Sequence, residues 1–181
     1  MGKLILAGFV TLDGVMEKPW EWAGPWFDKE GKDHSTEELQ KSEWFLLGRK
    51  TYQQFVASWP LIQGEAYFDE VNAMKKLVVS QSLHHADWNA SILNGDVPNQ
   101  LRALKKQSSK NIIKYGIGSL GNTLIQHDLV DEFHFSLIPI TLGKGAHAFE
   151  GMDTSGFTFQ LKQSKTFKNG VVNLVYIPVK K

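Results

Sequence analysis

Three short stretches of the chain carry residues suited to gripping phosphate. Gly48-Arg49-Lys50-Thr51 opens a helix-period segment after a short apolar run. The first amides of such a helix are free to bind an anion, Arg49 and Lys50 add charge, and Thr51 adds a hydroxyl. Ser80-Gln81-Ser82 follows the β-rich run Leu77 to Val79, where Ser80 and Ser82 offer two hydroxyls to a 2′-phosphate with Arg49 as a bidentate partner. Gly116-Ile117-Gly118-Ser119-Leu120 again lies between a strand and a helix, where glycine permits close approach of a pyrophosphate. It reads as a Gly-x-Gly turn without the third glycine of the full dinucleotide fingerprint at its required spacing, and without an acidic residue ending a following strand. Each stretch alone also reads as an ordinary turn: a glycine beside solvated basic residues, or serines closing a strand. Together they are what a dinucleotide lying across the carboxyl edge of an α/β sheet requires.

Asp13 ends an apolar strand where such a crevice opens, which makes it a candidate to orient a substrate or relay a proton. The competing reading is a plain Asp-Gly turn. Trp20, Trp22, Trp26 and Phe27 offer either a lid that stacks on a flat heterocycle or a local hydrophobic cluster. Six histidines raise the question of a metal, but no pair has His-x-x-x-His spacing, and no metal site is expected. The chain has no cysteine, which removes thiolate chemistry, and no Gly-x-Ser-x-Gly elbow.

The elements that must position these residues follow from periodicity. Leu4 to Thr11 is apolar on both faces, as a central buried strand is. Glu17 to Lys32 has no period and is broken by Pro19, Gly24, Pro25 and Gly31, so it reads as a long loop. Ser35 or Thr36 is placed to cap a short helix, and Trp44 to Leu47 reads as a strand. A helix runs from Gly48 to about Trp59-Pro60, strands cover Lys76 to Ser80 and Ala90 to Leu93, and a helix covers Val97 to Gln107. Asn111 to Tyr115 is a strand, and a helix follows it to about Asp128. The last third reads as three β segments, Glu132 to Leu142, Phe157 to Phe167 and Val171 to Val179, with an Asn169-Gly170 hairpin in which both residues tolerate positive φ. The fold class is therefore α/β: a mixed, mostly parallel sheet with flanking helices and an antiparallel C-terminal hairpin.

The 181 residues suffice for one domain, 1–181, with no repeat or linker. A net charge of +1 with dispersed lysines argues against nucleic acid as a partner. The longest apolar stretch, Leu4 to Leu12, is too short to span a membrane and makes a poor signal peptide, so a cytoplasmic location is expected.

Taken in order, Thr11-Leu12-Asp13-Gly14, Leu47-Gly48-Arg49-Lys50-Thr51-Tyr52, Gly116 to Leu120, Leu129-Val130-Asp131-Glu132, and Pro139 to Gly145 with Phe149 resemble a known family. It is the dihydrofolate reductase-like proteins related to the reductase domain of the bifunctional riboflavin-biosynthesis deaminase-reductase. The resemblance implies an eight-stranded sheet, bound NADPH, a small heterocyclic substrate and a homodimer. It implies that Gly48 to Thr51 hold the pyrophosphate and 2′-phosphate side, Ser80 and Ser82 the adenosine end, and Gly116, Gly118, Ser119 and Leu120 the pyrophosphate. Thr11 and Asp13 would lie beside the nicotinamide and substrate. Of the aromatics read as a lid, Trp22, Trp26 and Phe27 are the candidates to bind substrate. The implied activity is hydride transfer to a pyrimidine, pteridine or ribosylamine substrate at a CH–OH or C=N type group, most specifically 5-amino-6-(5-phosphoribosylamino)uracil. The alternatives are a dihydrofolate reductase, for which Asp33, Glu37 and Glu38 are only approximate carboxylate candidates, and an NADPH-binding protein without turnover.

Overall fold

The computed structural model describes residues 1–179, so the last two lysines of the expected 1–181 domain lie outside the described residues. Eight strands form one sheet: β1 (Leu4–Thr11), β2 (Ser42–Gly48), β3 (Lys75–Val79), β4 (Ala90–Leu93), β5 (Asn111–Tyr115), β6 (Glu132–Ile138), β7 (Phe159–Thr166) and β8 (Val172–Pro178). Their order is β4-β3-β2-β5-β1-β6-β8-β7. β2 runs parallel to β3 and β5, and β1 parallel to β6, whereas β8 is antiparallel to both β6 and β7. This is the mostly parallel, antiparallel-ending α/β sheet that the sequence predicts.

By internal contacts the chain forms two compact units, one of Met1–Leu4 with Lys32–Lys114 and one of Ile5–Gly31 with Tyr115 onward. In the first unit, helices α3 (Arg49–Val56), α4 (Ala66–Ala73) and α5 (Val97–Gln107) accompany β2 to β5. Its core holds Phe45, Leu46, Val78, Leu101, Ile112 and Ile113. Beside it, Phe55 stacks on Trp59 with ring centres 3.8 Å apart, and Tyr67, Phe68 and Trp88 meet Trp59 edge-on. In the second unit, α6 (Gly118–Gln126) and the short α1 (Pro19–Trp22) accompany β1 and β6 to β8, around Leu6, Leu124, Phe133 and Ile138.

Four expectations are corrected. The stretch Glu17 to Lys32 is not an irregular loop: it holds α1, a 3₁₀ turn at Gly24–Trp26 and the start of α2 (Lys29–Gln40). That helix is capped by Asp28, whose Oδ1 accepts from the Gly31 N–H at 3.1 Å, and not by Ser35 or Thr36. Thr36 is interior and donates its hydroxyl back to the Lys32 carbonyl at 2.7 Å. β6 stops at Ile138 rather than Leu142, because the chain after Pro139 leaves the sheet and pairs with the turn following β1. In the β7–β8 connection only Gly170 takes positive φ, at 89°. The bonds from Gly170 N to Phe167 O and from Phe167 N to Val171 O make a three-residue loop with a glycine bulge instead of a two-residue turn.

Candidate active site

In the first unit, Gly48 precedes α3 at φ −79° and ψ 156°, an extended conformation open to any residue. No side chain caps that helix, so its first amides stay available, with Arg49 and Lys50 exposed and Thr51 half-buried. The Arg49 guanidinium donates to Gln53 Oε1 at 3.2 Å, a pair one helical turn apart. Ser80 is buried, and its Oγ accepts from the amides of Ser82 and Leu83 at 3.2 and 3.0 Å. Its oxygen thus builds the turn after β3, while the hydroxyl of Ser82 is exposed.

The second unit gathers Thr11, Asp13 and the Gly116 turn. Gly116 N donates to Ala7 O at 2.7 Å, which ties the end of β5 to β1. Gly116 and Gly118 have φ of 69° and 54°, values that side-chain-bearing residues rarely adopt. A β-carbon at either would meet no atom within 4 Å, so both face open space at the start of α6. That helix begins after Ile117 with no side-chain cap, leaving its first amides free for an anion. Ser119 is exposed and Leu120 half-buried in its first turn.

The reading of that turn without a third fingerprint glycine is corrected: Gly121 stands at the Gly-x-Gly-x-x-Gly spacing. A β-carbon there would lie 2.9 Å from Ile117 Cγ2 and 3.6 Å from Leu6 Cδ1. Gly121 therefore leaves room for the Ile117 side chain at the start of its own helix, with Leu6 of β1 in ordinary contact beside it. The spacing 116, 118, 121 was the signal available in the sequence.

Asp13 is held on several sides. Thr11 Oγ1 donates to Asp13 Oδ1, Leu142 N donates to both carboxylate oxygens at 3.3 and 3.1 Å, and Gly143 N donates to Oδ2 at 2.7 Å. These donors, the Thr11 hydroxyl first and the Gly143 amide next, hold the carboxyl below its ordinary value of 3.8. A carboxyl kept ionised is a poor proton source at neutral pH, so the geometry favours its orienting role. Thr11 Oγ1 also accepts from Val15 N at 2.9 Å, closing the turn.

Trp22 of α1 and Trp26 of the 3₁₀ turn pack inward. Trp22 and Trp26 lie against a cluster of Ile138, Phe167 and Val171, joined by Phe9 and Ile140, and Phe27 meets Phe9 edge-on at 5.4 Å. Trp22 Nε1 donates to Glu17 O at 2.8 Å, and Asn169 Nδ2 donates to Trp26 O at 2.9 Å. This is the packed-cluster arrangement of the two open at sequence level; among the four aromatics only Trp20 is largely exposed, at 53%.

A model of the RibD C-terminal domain family matches residues 2–173. The chain belongs to that family. The family is that of the reductase domain which the sequence resembles. The uncharacterized protein YyaP of Bacillus subtilis (strain 168) is 30% identical over 178 residues, covering 96% of this chain and 94% of that protein. Among solved structures, the dihydrofolate reductase of Enterococcus faecalis complexed with NADP(H) and RAB-propyl superposes with a TM-score of 0.67 at 13% identity, over 99% of this chain and 98% of that one. The diaminohydroxyphosphoribosylaminopyrimidine deaminase/5-amino-6-(5-phosphoribosylamino)uracil reductase of Thermotoga maritima gives a TM-score of 0.70 at 16% identity, over 98% of this chain and 57% of that one. Both share the dihydrofolate reductase-like fold. Among the described residues no helix is long and apolar enough to cross a membrane.

Proposed function

We propose that this RibD C-terminal domain protein is an NADPH-dependent reductase acting on a ribosylaminopyrimidine, most specifically 5-amino-6-(5-phosphoribosylamino)uracil. The observation that carries the reading is the Gly116–Gly118–Gly121 turn: two left-handed glycines facing open space at an uncapped helix start, and a third packed against Ile117. Dinucleotide pyrophosphates bind at such a turn. The dihydrofolate reductase of similar fold was solved with NADP(H), and the Thermotoga maritima relative names the uracil substrate. NADPH, when bound, supplies the hydride.

The chain's own residues do the rest. The amides of Gly118, Ser119 and Leu120 receive the pyrophosphate. Thr11 and Asp13 fix the turn after β1, beside which the substrate is oriented. By their chemistry the exposed Arg49, Lys50 and Ser82, with Thr51, suit a 2′-phosphate, while Ser80 shapes the turn that carries Ser82. The proposed assembly is a homodimer and the proposed location cytoplasmic.

The test is NADPH titration followed by tryptophan fluorescence, then NADPH oxidation with the uracil substrate and with dihydrofolate. Gly118→Val is expected to weaken NADPH at least tenfold, since it strains the left-handed backbone and fills the open space at the helix start. Arg49→Ala is expected to weaken NADPH but not NADH, in keeping with loss of a phosphate-pairing guanidinium. Unchanged NADPH affinity in Gly118→Val overturns the reading. Turnover of dihydrofolate in place of the uracil moves the protein to the folate enzymes.

A further inference from the structure

Asp13 is held by the Thr11 hydroxyl and the Leu142 and Gly143 amides, and the segment after Pro139 that supplies those amides brings a histidine to the same turn. After Pro139 the chain runs back along the turn that follows β1. Leu12 N donates to Ile140 O at 2.8 Å, Met16 N to Ala146 O at 3.0 Å and Ala148 N to Gly14 O at 2.9 Å, and Val15 forms an antiparallel bridge with His147. Two carboxylates fasten this arm: Asp13 takes the amides of Leu142 and Gly143, and Glu17 Oε2 takes the amide of Ala146 at 3.1 Å. The arm also sits too close for a side chain at Gly145, where a β-carbon would lie 2.8 Å from Val15 Cγ1.

The arm delivers an imidazole to the candidate site. His147 Cδ2 lies 3.4 Å from the position a β-carbon on Gly14 would take, so the ring rests on the Asp13-Gly14 turn. The His147 backbone is fixed by its bridge to Val15 and by donation of its amide to Glu150 Oε2 at 2.8 Å. Its ring is exposed and makes no hydrogen bond or ion pair among the described residues. The carboxylates bonded to its own segment are Glu150 at the His147 amide, Glu17 at the Ala146 amide and Asp13 at the Leu142 and Gly143 amides. Histidine is the side-chain type that both carries and releases a proton near neutral pH.

We infer that His147 is the proton donor of the reduction, and that Asp13 and Glu17 are positioning residues that hold its arm on the turn after β1. This rests on the reductase reading. In the ring-opened ribosylamine, formed as the C1′–O bond breaks and the N–H proton passes to that oxygen, the C=N carbon would take the two-electron hydride that NADPH supplies, and the nitrogen would take the proton of the His147 imidazolium. The products are the secondary amine, the oxidised nicotinamide and a neutral imidazole, which regains its proton from water.

The experiment compares the full chain with His147→Gln, Asp13→Asn and Glu17→Gln in three measurements: NADPH affinity by tryptophan fluorescence, kcat against pH with 5-amino-6-(5-phosphoribosylamino)uracil, and the imidazole resonances of ¹⁵N-histidine-labelled protein. In His147→Gln we expect kcat to fall roughly 100-fold or more, the usual scale for losing a general acid. Its alkaline decline is expected to disappear while NADPH affinity stays within about twofold, as loss of a proton donor alone requires. The His147 resonances are expected to move when NADPH and substrate are added. In Asp13→Asn and Glu17→Gln, faster amide exchange at 142–146 is expected to accompany a smaller fall in kcat. A His147→Gln variant with kcat within about twofold of the parent overturns the inference, because a general acid contributes far more. An equal loss of NADPH affinity also overturns it. If the parent binds NADPH yet reduces nothing, the proposed substrate has failed, and the resonances still decide: a ring unmoved by saturating NADPH and substrate sinks the role of His147.

Discussion

Lys76 is wholly buried, and its ammonium donates to the carbonyls of Val71, Asn72 and Met74 at 2.6, 3.0 and 2.9 Å while lying 4.2 Å from the centre of the Trp88 ring. It closes the carboxyl end of α4, where carbonyls lack helical partners. Lys76→Met leaves those acceptors unpaired, and denaturant unfolding at neutral pH is expected to show a loss of about 1–3 kcal/mol. Lys114 on β5 is also buried, and desolvation pushes it down to about 7 from 10.5. Between those two values the unfolded chain binds the proton that the folded chain has released, so stability rises with pH through that window. The rise is at most about 1.4 kcal/mol per pH unit for one proton. Urea midpoints measured from neutral to alkaline pH are expected to climb less in Lys114→Met than in the parent. Asp13 has the opposite arrangement for a carboxylate. Its depressed value means that its contribution is complete above the ordinary 3.8 and is lost as pH falls through the lower folded value. The stability difference between parent and Asp13→Asn is therefore expected to vanish in strong acid.

At the scale of elements, α2 shows how a cap outranks propensity. Its sequence Lys29–Gln40 includes Gly31, Ser35 and Thr36, which are poor helix formers, and its buried anchor is Leu39 near the end. Asp28 fixes where it starts by accepting the Gly31 amide. Asp28→Ala is expected to cost about 1 kcal/mol in a denaturant melt, and Ser35→Ala less than about 0.5 kcal/mol, because only the first removes a cap. α4 left little trace in the sequence for the same kind of reason. It is eight residues long, has no side-chain cap, and buries only Tyr67 and Val71. At the start of α6, Gly121 lies close enough to Ile117 that Gly121→Val is expected to cost about 1–3 kcal/mol by overpacking.

For the whole molecule, the open question is what meets the sheet edge at β7. That strand is mostly exposed and carries Lys162 and Lys165 around a bulge at Leu161/Gln163, devices that discourage indiscriminate edge pairing. The bulge also turns Lys162 toward Glu132, where its ammonium lies 2.7 Å from Oε1. A homodimer must therefore be specific, and light scattering is expected to give twice the chain mass of 20.4 kDa; a monomer refutes it. The sequence alone determined the strands β1, β4 and β5 and the helix α5 at the observed limits. Burial on both faces, helical spacing of apolar residues and terminal turns are local signals, legible within a few residues. It also placed Asp13 and the glycines of the Gly116 turn at strand ends. The Thr11 hydroxyl that holds Asp13 is a local partner, but only the tertiary structure brought its other donors, the amides of Leu142 and Gly143, from 129 and 130 residues away. The same holds for Glu17 with Ala146 and for His147 against Gly14. A carboxylate's charge state and an imidazole's position are set by partners that chain separation hides, and these are the features on which the proposed chemistry depends.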